Sequence, residues 1–217
     1  MNYDFRCHRG NTGECMDAVS EIYETMYGYH RSLSAALGYR DMMTLVHSEH
    51  VRDLALMIAE DSGADAHMLA VLKMAATFHD VGKIGIPDHI LMKPGRLDAT
   101  EWQMIRMHSE IGEQIILSSG HTDQPAVDVA RAIRHHHENF GGGGYPDGLK
   151  GEDIPLCSRI IAIADSYDAM GVTRAYHAAR SHDEIMDIME GESGSKFDPA
   201  LMDIFCERIA LSPMRVG

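Results

Sequence analysis

The sequence predicts an all-α protein, a compact bundle of about seven to nine helices. The main observation is that apolar residues recur every three or four positions along each extended segment, as they do on the buried face of a helix. In addition, no segment of useful length alternates apolar and polar residues in the way a half-exposed strand does. With 217 residues and 45% hydrophobic content, the chain can bury a sizeable core as one domain.

An N-terminal helical extension is predicted for residues 1–40, ahead of a main domain over 41–217. An apolar stripe at helical spacing runs from Met16 to Leu37 and ends at Gly38, a typical helix terminator. Such an amphipathic helix is expected to cover its own domain or to pair with a second copy of the chain.

The next two helices are predicted to carry inward polar residues. The first has His47 one turn before Val51, which places this histidine on the buried stripe. The second begins near Asp65 and ends with His79 on its apolar face and Asp80 beside it. Imidazole and carboxylate side by side at a helix end are suited to bind one divalent cation.

Residues 84–97 contain two prolines and are predicted to be an ordered loop. Asp98 is a favourable N-cap, and a single helix is expected from there to Gly120. Trp102 and His108 are assigned to its inward face by their helical spacing.

Pro125 begins a helix that ends in His135-His136-His137-Glu138, and a glycine-rich loop follows over 141–148. The loop lacks the Gly-Lys-Ser/Thr ending of a P-loop and does not follow a strand. It is either a surface turn that Tyr145 packs down or a pocket rim where Tyr145 stacks on a base. Three further helices are predicted to begin at Pro155, Ser181 and Asp198.

The composition argues against several classes of protein. The formal charge of −14 disfavours binding to nucleic acid polymers, which requires a basic surface. No apolar run is long enough to cross a membrane, and the first residues do not begin a signal peptide. Reduced thiols and a cytoplasmic location are expected, because no Cys-x-x-Cys pair occurs among Cys7, Cys15, Cys157 and Cys206.

Several core helices deliver a histidine or a carboxylate on an apolar stripe. The seven inward residues are His47, His79, Asp80, His108, His136, His137 and Asp165. Burying each without a partner costs about 1–3 kcal/mol, and a shared metal centre in the core satisfies all of them. Seven ligands suit two divalent ions bridged by a carboxylate, and imidazole with carboxylate favours iron or manganese. Lys83 places a cation where an anionic substrate would meet the metal.

Four motifs stand in order along the chain. They are His79-Asp80-x-Gly82-Lys83, His136-His137-Glu138, Gly144-Tyr145-Pro146-Asp147-Gly148-Leu149-Lys150-Gly151 and Ala164-Asp165-x-x-Asp168-Ala169. Their order and spacing resemble the HD-GYP family of cyclic di-GMP phosphodiesterases. The resemblance implies a helical bundle of the HD-domain type and an enzyme that hydrolyses a phosphodiester bond of a cyclic dinucleotide with a metal-bridging hydroxide. Cyclic di-GMP is the first candidate substrate.

The resemblance also implies a role for each site residue. One ion would be held by His47, His79, Asp80 and Asp165, and the other by Asp80 as bridge with His108, His136 and His137. Catalysis would depend on Asp80 and on Lys83, which stabilises charge on the scissile phosphate. The nucleotide would be contacted by Tyr145, Arg174 and His177. His135 is expected to be a non-ligand.

Three positions depart from the family pattern. Met43 replaces the glutamate that binds a third metal, so a two-metal centre is expected. Gly141 replaces an aspartate and is expected to loosen the glycine-rich loop. In the stretch Arg174-Ala175-Tyr176-His177, a histidine stands where the family has a permanent cation, so a phosphate contact there depends on pH.

Three other interpretations are compatible with these residues. Related di-iron HD oxygenases use the same ligand types, although Lys83 and the glycine-rich loop favour a phosphate substrate. A degenerate module that binds a cyclic dinucleotide or a partner protein is the non-enzymatic alternative, and the complete ligand set argues against it. A mixed guanine–adenine cyclic dinucleotide is the second candidate substrate.

The N-terminal helix is the expected contact for a homodimer or a signalling-protein partner.

Overall fold

A computed structural model of the chain describes residues 28, 32–33, 35–36, 38–39, 42–118, 124–172 and 179–216. Within this part of the chain the regular secondary structure is helical and includes no β-strand, which confirms the predicted all-α class. The helices are α1 (Met42–Ala59), α2 (Ala66–Phe78), α3 (Asp88–Leu91), α4 (Ala99–Arg106), α5 (His108–Leu117), α6 (Gln124–Arg134), α7 (Leu156–Gly171), α8 (His182–Gly191) and α9 (Pro199–Ile209). Short 3-10 helices cover Val81–Gly85 and Gly151–Asp153.

The helices pack around one apolar core. Helix α1 lies against α2 and α7, and α6 lies against α2 and α5. Fully buried side chains at these contacts include Ile58, Leu72, Ile133 and Ile161. Each such side chain contributes about 1.5–3 kcal/mol by leaving water, so the core holds these five helices in a defined arrangement. All of the predicted metal ligands lie on these helices or directly after them.

Helix starts follow the capping signals in the sequence. The Asp98 side chain accepts hydrogen bonds from the Thr100 and Glu101 backbones, while the Glu101 side chain accepts from the Asp98 N–H. Ser181 forms a second capping box at the start of α8. Asp198 caps α9 ahead of a proline in the first turn. Such caps satisfy backbone N–H groups that have no partner within the helix.

Two predictions between residues 84 and 120 are wrong. The expected loop over 84–97 contains the short helix α3. The single helix expected after Asp98 is two helices, because the Met107 N–H bonds to the Met104 carbonyl and closes a tighter turn. This break changes which side chains face inward, so Trp102 is 50% exposed and α4 has no buried residue.

Most of the predicted N-terminal extension lies outside the described residues. The positions described before residue 40 are helical. None of the described helices is both long and apolar enough to cross a membrane. Cys157 and Cys206 are free thiols, as expected, whereas Cys7 and Cys15 lie outside the described residues.

Candidate metal centre

The His79-Asp80 pair lies where α2 ends and the first 3-10 helix begins. Gly82 allows this turn to pack against the start of α5. A Cβ atom at Gly82 would lie 1.8 Å from the His108 carbonyl oxygen and 2.6 Å from the Gly112 nitrogen, distances that no side chain can occupy. The glycine in the motif is therefore required for His108 to approach Asp80.

A first group of potential ligand atoms comes from α1 and the end of α2. One atom from each of His47, His79 and Asp80 lies within 4.8 Å of the others, and all three residues are buried. The His47 Nε2 atom is also 3.0 Å from Oδ1 of Asp165 on α7. The structure thus brings together the four residues predicted to hold one ion.

A second group of potential ligand atoms comes from α5 and the segment after α6. The Nε2 atom of His108 lies 3.3 Å from that of His136 and 3.2 Å from that of His137. Asp80 faces both groups, since its Oδ1 is 3.6 Å from His108 Nε2 and its Oδ2 is 3.5 Å from His79 Nε2. This is the arrangement that a bridging carboxylate requires.

Three of these histidines are oriented by backbone carbonyl groups three residues earlier in the chain. The Nδ1–H of His79 donates to the Ala76 carbonyl at 2.8 Å, that of His108 to Ile105 at 2.7 Å, and that of His136 to Ile133 at 2.6 Å. A carbonyl oxygen only accepts, so Nδ1 carries the proton and Nε2 presents a lone pair. Within the described residues, the buried Nε2 atom of His79 has no hydrogen-bond partner.

Burial favours the neutral form of the three histidines of the second group, His108, His136 and His137. It lowers the pKa of His108, and with its histidine neighbours it lowers that of His136 well below the ordinary value. For His137, burial and His108 lower the pKa to about 3. Lone pairs of neutral imidazoles beside a carboxylate form a donor set that suits a divalent cation, so the residues present fit a metal centre.

Asp80 is held as a carboxylate. Burial opposes its ionisation, but Lys83, His79 and His108 outweigh burial and keep its pKa well below the usual range. Lys83 donates a hydrogen bond to Asp80 Oδ2 at 2.5 Å, and its side chain is 21% exposed. The ammonium group therefore lies between the predicted bridging carboxylate and solvent.

Asp168 orients His47, a contact that sequence analysis missed. The His47 Nδ1–H donates to Asp168 Oδ2 at 2.6 Å, and the other Asp168 oxygen accepts from His50 Nδ1 at 3.0 Å. Burial lowers the pKa of His47, but hydrogen bonds to Asp165 and Asp168 outweigh it and raise the pKa to about 9. The spacing of Asp165 and Asp168, three residues apart on α7, was the signal available in the sequence.

The glycine-rich loop is fastened beside the second group of ligands. Glu138 Oε1 accepts hydrogen bonds from the backbones of Asp147 and Gly148 at 2.8 and 2.9 Å. Arg134 donates two hydrogen bonds to the Asp147 carboxylate, at 2.8 and 2.9 Å. Gly141, expected to loosen the loop, donates its N–H to the Ser195 carbonyl at 2.8 Å and so anchors this end of it.

Tyr145 is thereby placed over the site. The Tyr145 ring stacks on His137 with 4.8 Å between the ring centroids. The Arg106 guanidinium lies 5.0 Å from the centroid of the Tyr145 ring. Burial and the Asp165 and Asp80 carboxylates raise the phenol pKa, so the hydroxyl is protonated at neutral pH.

The remaining predictions concern His135 and the nucleotide contacts. His135 Nδ1–H donates to the Arg131 carbonyl and its Nε2 pairs with Asp147, so neither nitrogen is available to a metal. Arg174 and His177 lie outside the described residues, as does the side chain of Met43.

A family model described as HD domain matches residues 15–201. The cyclic di-GMP phosphodiesterase response regulator RpfG of Xanthomonas campestris pv. campestris is 39% identical over 186 residues, which are 86% of this chain and 49% of that protein. The 3′3′-cGAMP-specific phosphodiesterase 2 of Vibrio cholerae is 35% identical, with 91% of this chain and 38% of that protein covered. The chain thus spans half or less of the length of these curated relatives.

Two solved structures share the fold. Bd1817, described as an HDG"Y"P protein from Bdellovibrio bacteriovorus, matches with a TM-score of 0.61 at 21% identity and covers 89% of this chain and 62% of its own. The cyclic GMP-AMP-specific phosphodiesterase V-cGAP3 of V. cholerae matches with a TM-score of 0.56 at 20% identity, covering 77% of this chain and 44% of its own.

Proposed function

Since the chain belongs to the HD domain family, we propose that it is a metal-dependent phosphodiesterase that hydrolyses a cyclic dinucleotide, with cyclic di-GMP the first candidate. The HD-GYP motifs in the sequence agree with the descriptions of the curated relative RpfG and of the Bd1817 structure. The observation that carries the proposal is the pair of buried ligand groups joined by Asp80, with Lys83 and Tyr145 beside them.

The proposed centre takes two divalent ions, iron or manganese. The first would be held by His47, His79, Asp80 and Asp165, and the second by Asp80, His108, His136 and His137. Two such ions, when bound, polarise the phosphate oxygens and make water a stronger nucleophile. Histidine nitrogens and carboxylates without thiolates favour these metals over structural zinc.

The residues around this centre have separable roles. The Lys83 ammonium group lies at Asp80 and is partly exposed. It is therefore positioned to neutralise the negative charge that increases on the phosphate oxygens in the transition state. Asp168 holds the His47 ring in the orientation that directs Nε2 inward. Tyr145 offers its protonated hydroxyl to the nucleotide.

A mixed guanine–adenine cyclic dinucleotide is the second candidate substrate. The V. cholerae relative at 35% identity is named as specific for 3′3′-cGAMP. The histidine at position 177, in place of a permanent cation, leaves the expected preference for guanine weak.

Metal-loaded protein incubated with cyclic di-GMP or 3′3′-cGAMP tests the proposal, with products resolved by chromatography. We expect hydrolysis of at least one dinucleotide, loss of it in Asp80→Ala, and retention in His89→Ala, which removes an exposed histidine outside the site. Cleavage of neither dinucleotide by metal-replete protein would overturn the proposal. Binding without cleavage would then favour the hypothesis of a non-enzymatic binding module. Consumption of oxygen by the metal-loaded protein would favour the oxygenase hypothesis.

We also propose an interaction surface and a cellular compartment for this chain. The N-terminal helix is proposed to mediate a homodimer or contact with a signalling protein, which deletion of residues 1–40 and measurement of mass in solution would test. The cytoplasm is the proposed compartment, based on the expected reduced thiols, and fractionation would test it.

A further inference from the structure

We propose that Arg106 is a substrate-binding residue that holds the second phosphate of a cyclic dinucleotide, the one that is not being cleaved. The inference rests on the proposed function and assigns a contact beyond the residues predicted from the sequence. Arg106 is the last residue of α4, next to the break at Met107 and two residues before His108. The break turns His108 inward while leaving the Arg106 side chain exposed.

The Arg106 guanidinium lies over the ring of Tyr145, which itself stacks on a residue of the second ligand group. His137 belongs to that group, and the Tyr145 ring stacks on it at 4.8 Å and an interplanar angle of 27°. The guanidinium lies 5.0 Å from the Tyr145 centroid. Arg106 is thus one ring further from the ligand groups than Tyr145, near the predicted nucleotide contact but away from the bond to be cleaved.

The charge of Arg106 is available to a ligand, unlike that of its cationic neighbours. Lys83 is hydrogen-bonded to Asp80, and Arg134 pairs with Asp147 and Glu113. No carboxylate of the described residues forms an ion pair with Arg106. A guanidinium that lies over an aromatic ring without a carboxylate partner can still form a planar, bidentate contact with an anion.

The chemistry of the substrate supplies the ligand for that edge. A cyclic dinucleotide has two phosphodiesters, each with one negative charge. While one lies at the ligand groups and Lys83, the other lies across the macrocycle and needs its own cation, since the chain carries a net charge of −14. Arginine binds phosphate oxygens through paired, charge-assisted hydrogen bonds.

The test compares substrates with two phosphates and with one. Arg106→Gln and Arg106→Lys are measured in the full metal-loaded protein with a cyclic dinucleotide and with bis(4-nitrophenyl) phosphate. Loss of a charge-assisted contact in Arg106→Gln should raise KM for the cyclic dinucleotide by about 10- to 100-fold with little change in kcat. The KM increase for the single-phosphate substrate should be at least five-fold smaller, and Arg106→Lys should recover part of the loss.

Arg96→Gln is the matched control, because it removes the same charge from an exposed arginine outside the site, and its kinetics should equal those of the parent. Unchanged KM for the cyclic dinucleotide in Arg106→Gln, or equal losses on both substrates, would overturn the inference. The Kd for the cyclic dinucleotide is measured by calorimetry in parallel. A parent protein that binds without cleaving would refute the proposed function while the Kd of Arg106→Gln still decides the role of Arg106. If the parent does not bind it at all, both proposals fail.

Discussion

Replacing Asp168 with asparagine should weaken one of the two predicted metal sites. Asp168 accepts a 2.6 Å hydrogen bond from His47 Nδ1, and the side chains of both residues are only 7% exposed. Solvent screens such a charge-assisted contact little, and its loss costs about 1.5–3 kcal/mol. Asparagine keeps the shape but removes the charge that orients His47.

The expected result is a metal affinity about 10- to 100-fold lower at the site that contains His47, equivalent to about 1.4–2.7 kcal/mol. Titration with a competing chelator should release one ion early from Asp168→Asn, while the second ion stays close to its affinity in the parent. The melting temperature is measured alongside, because a general loss of fold would release both ions together.

Asp128→Asn provides the control, since Asp128 forms a similar pair with His67 at 3.0 Å on a more exposed surface. This variant should bind both ions as the parent does. Affinity within two-fold of the parent in Asp168→Asn, with the melting temperature unchanged, would refute the orienting role. Equal weakening of both ions would refute the assignment of His47 to one site.

Three other substitutions test the site by different measurements. Gly82→Ala places a Cβ atom 1.8 Å from a backbone oxygen, and urea denaturation should give a destabilisation above about 2 kcal/mol, whereas Gly191→Ala, with open space around it, should change stability by under about 1 kcal/mol. Elemental analysis of Asp80→Ala should find both ions lost, and full retention would contradict its bridging role. Lys83→Ala should lower kcat with metal content unchanged, while loss of metal as well would make this lysine a structural residue.

Local rules account for what could be predicted before the structure. Capping boxes at Asp98 and Ser181 bring their partners within three residues, so the sequence contains the whole interaction. The inward position of histidines such as His79 can also be predicted locally, because helical periodicity decides which side of a helix a residue occupies. His79 also bonds to a carbonyl three residues earlier in the chain, which a sequence pattern contains.

Periodicity failed where the helix broke. A single helical phase extended across Met107 predicts that Trp102 faces inward, but the backbone tightens there and α5 begins with a different phase. The 3-10 hydrogen bond responsible has no signal in residue type, since methionine is a good helix former. The consequence is that Trp102 faces solvent while His108 still faces Asp80.

The sequence alone therefore determined the helical class, the helix starts that carry a capping box and the residues that we propose as metal ligands. Tertiary packing decided which of them meet and what orients them. His47 and Asp168 are 121 residues apart, and their hydrogen bond exists only because α1 and α7 pack together. The contacts of the Tyr145 ring with His137 and Arg106 likewise join three separate segments. Hydrogen bonds and ring contacts act over a few ångströms in space, so they depend on where the core places each helix rather than on spacing along the chain.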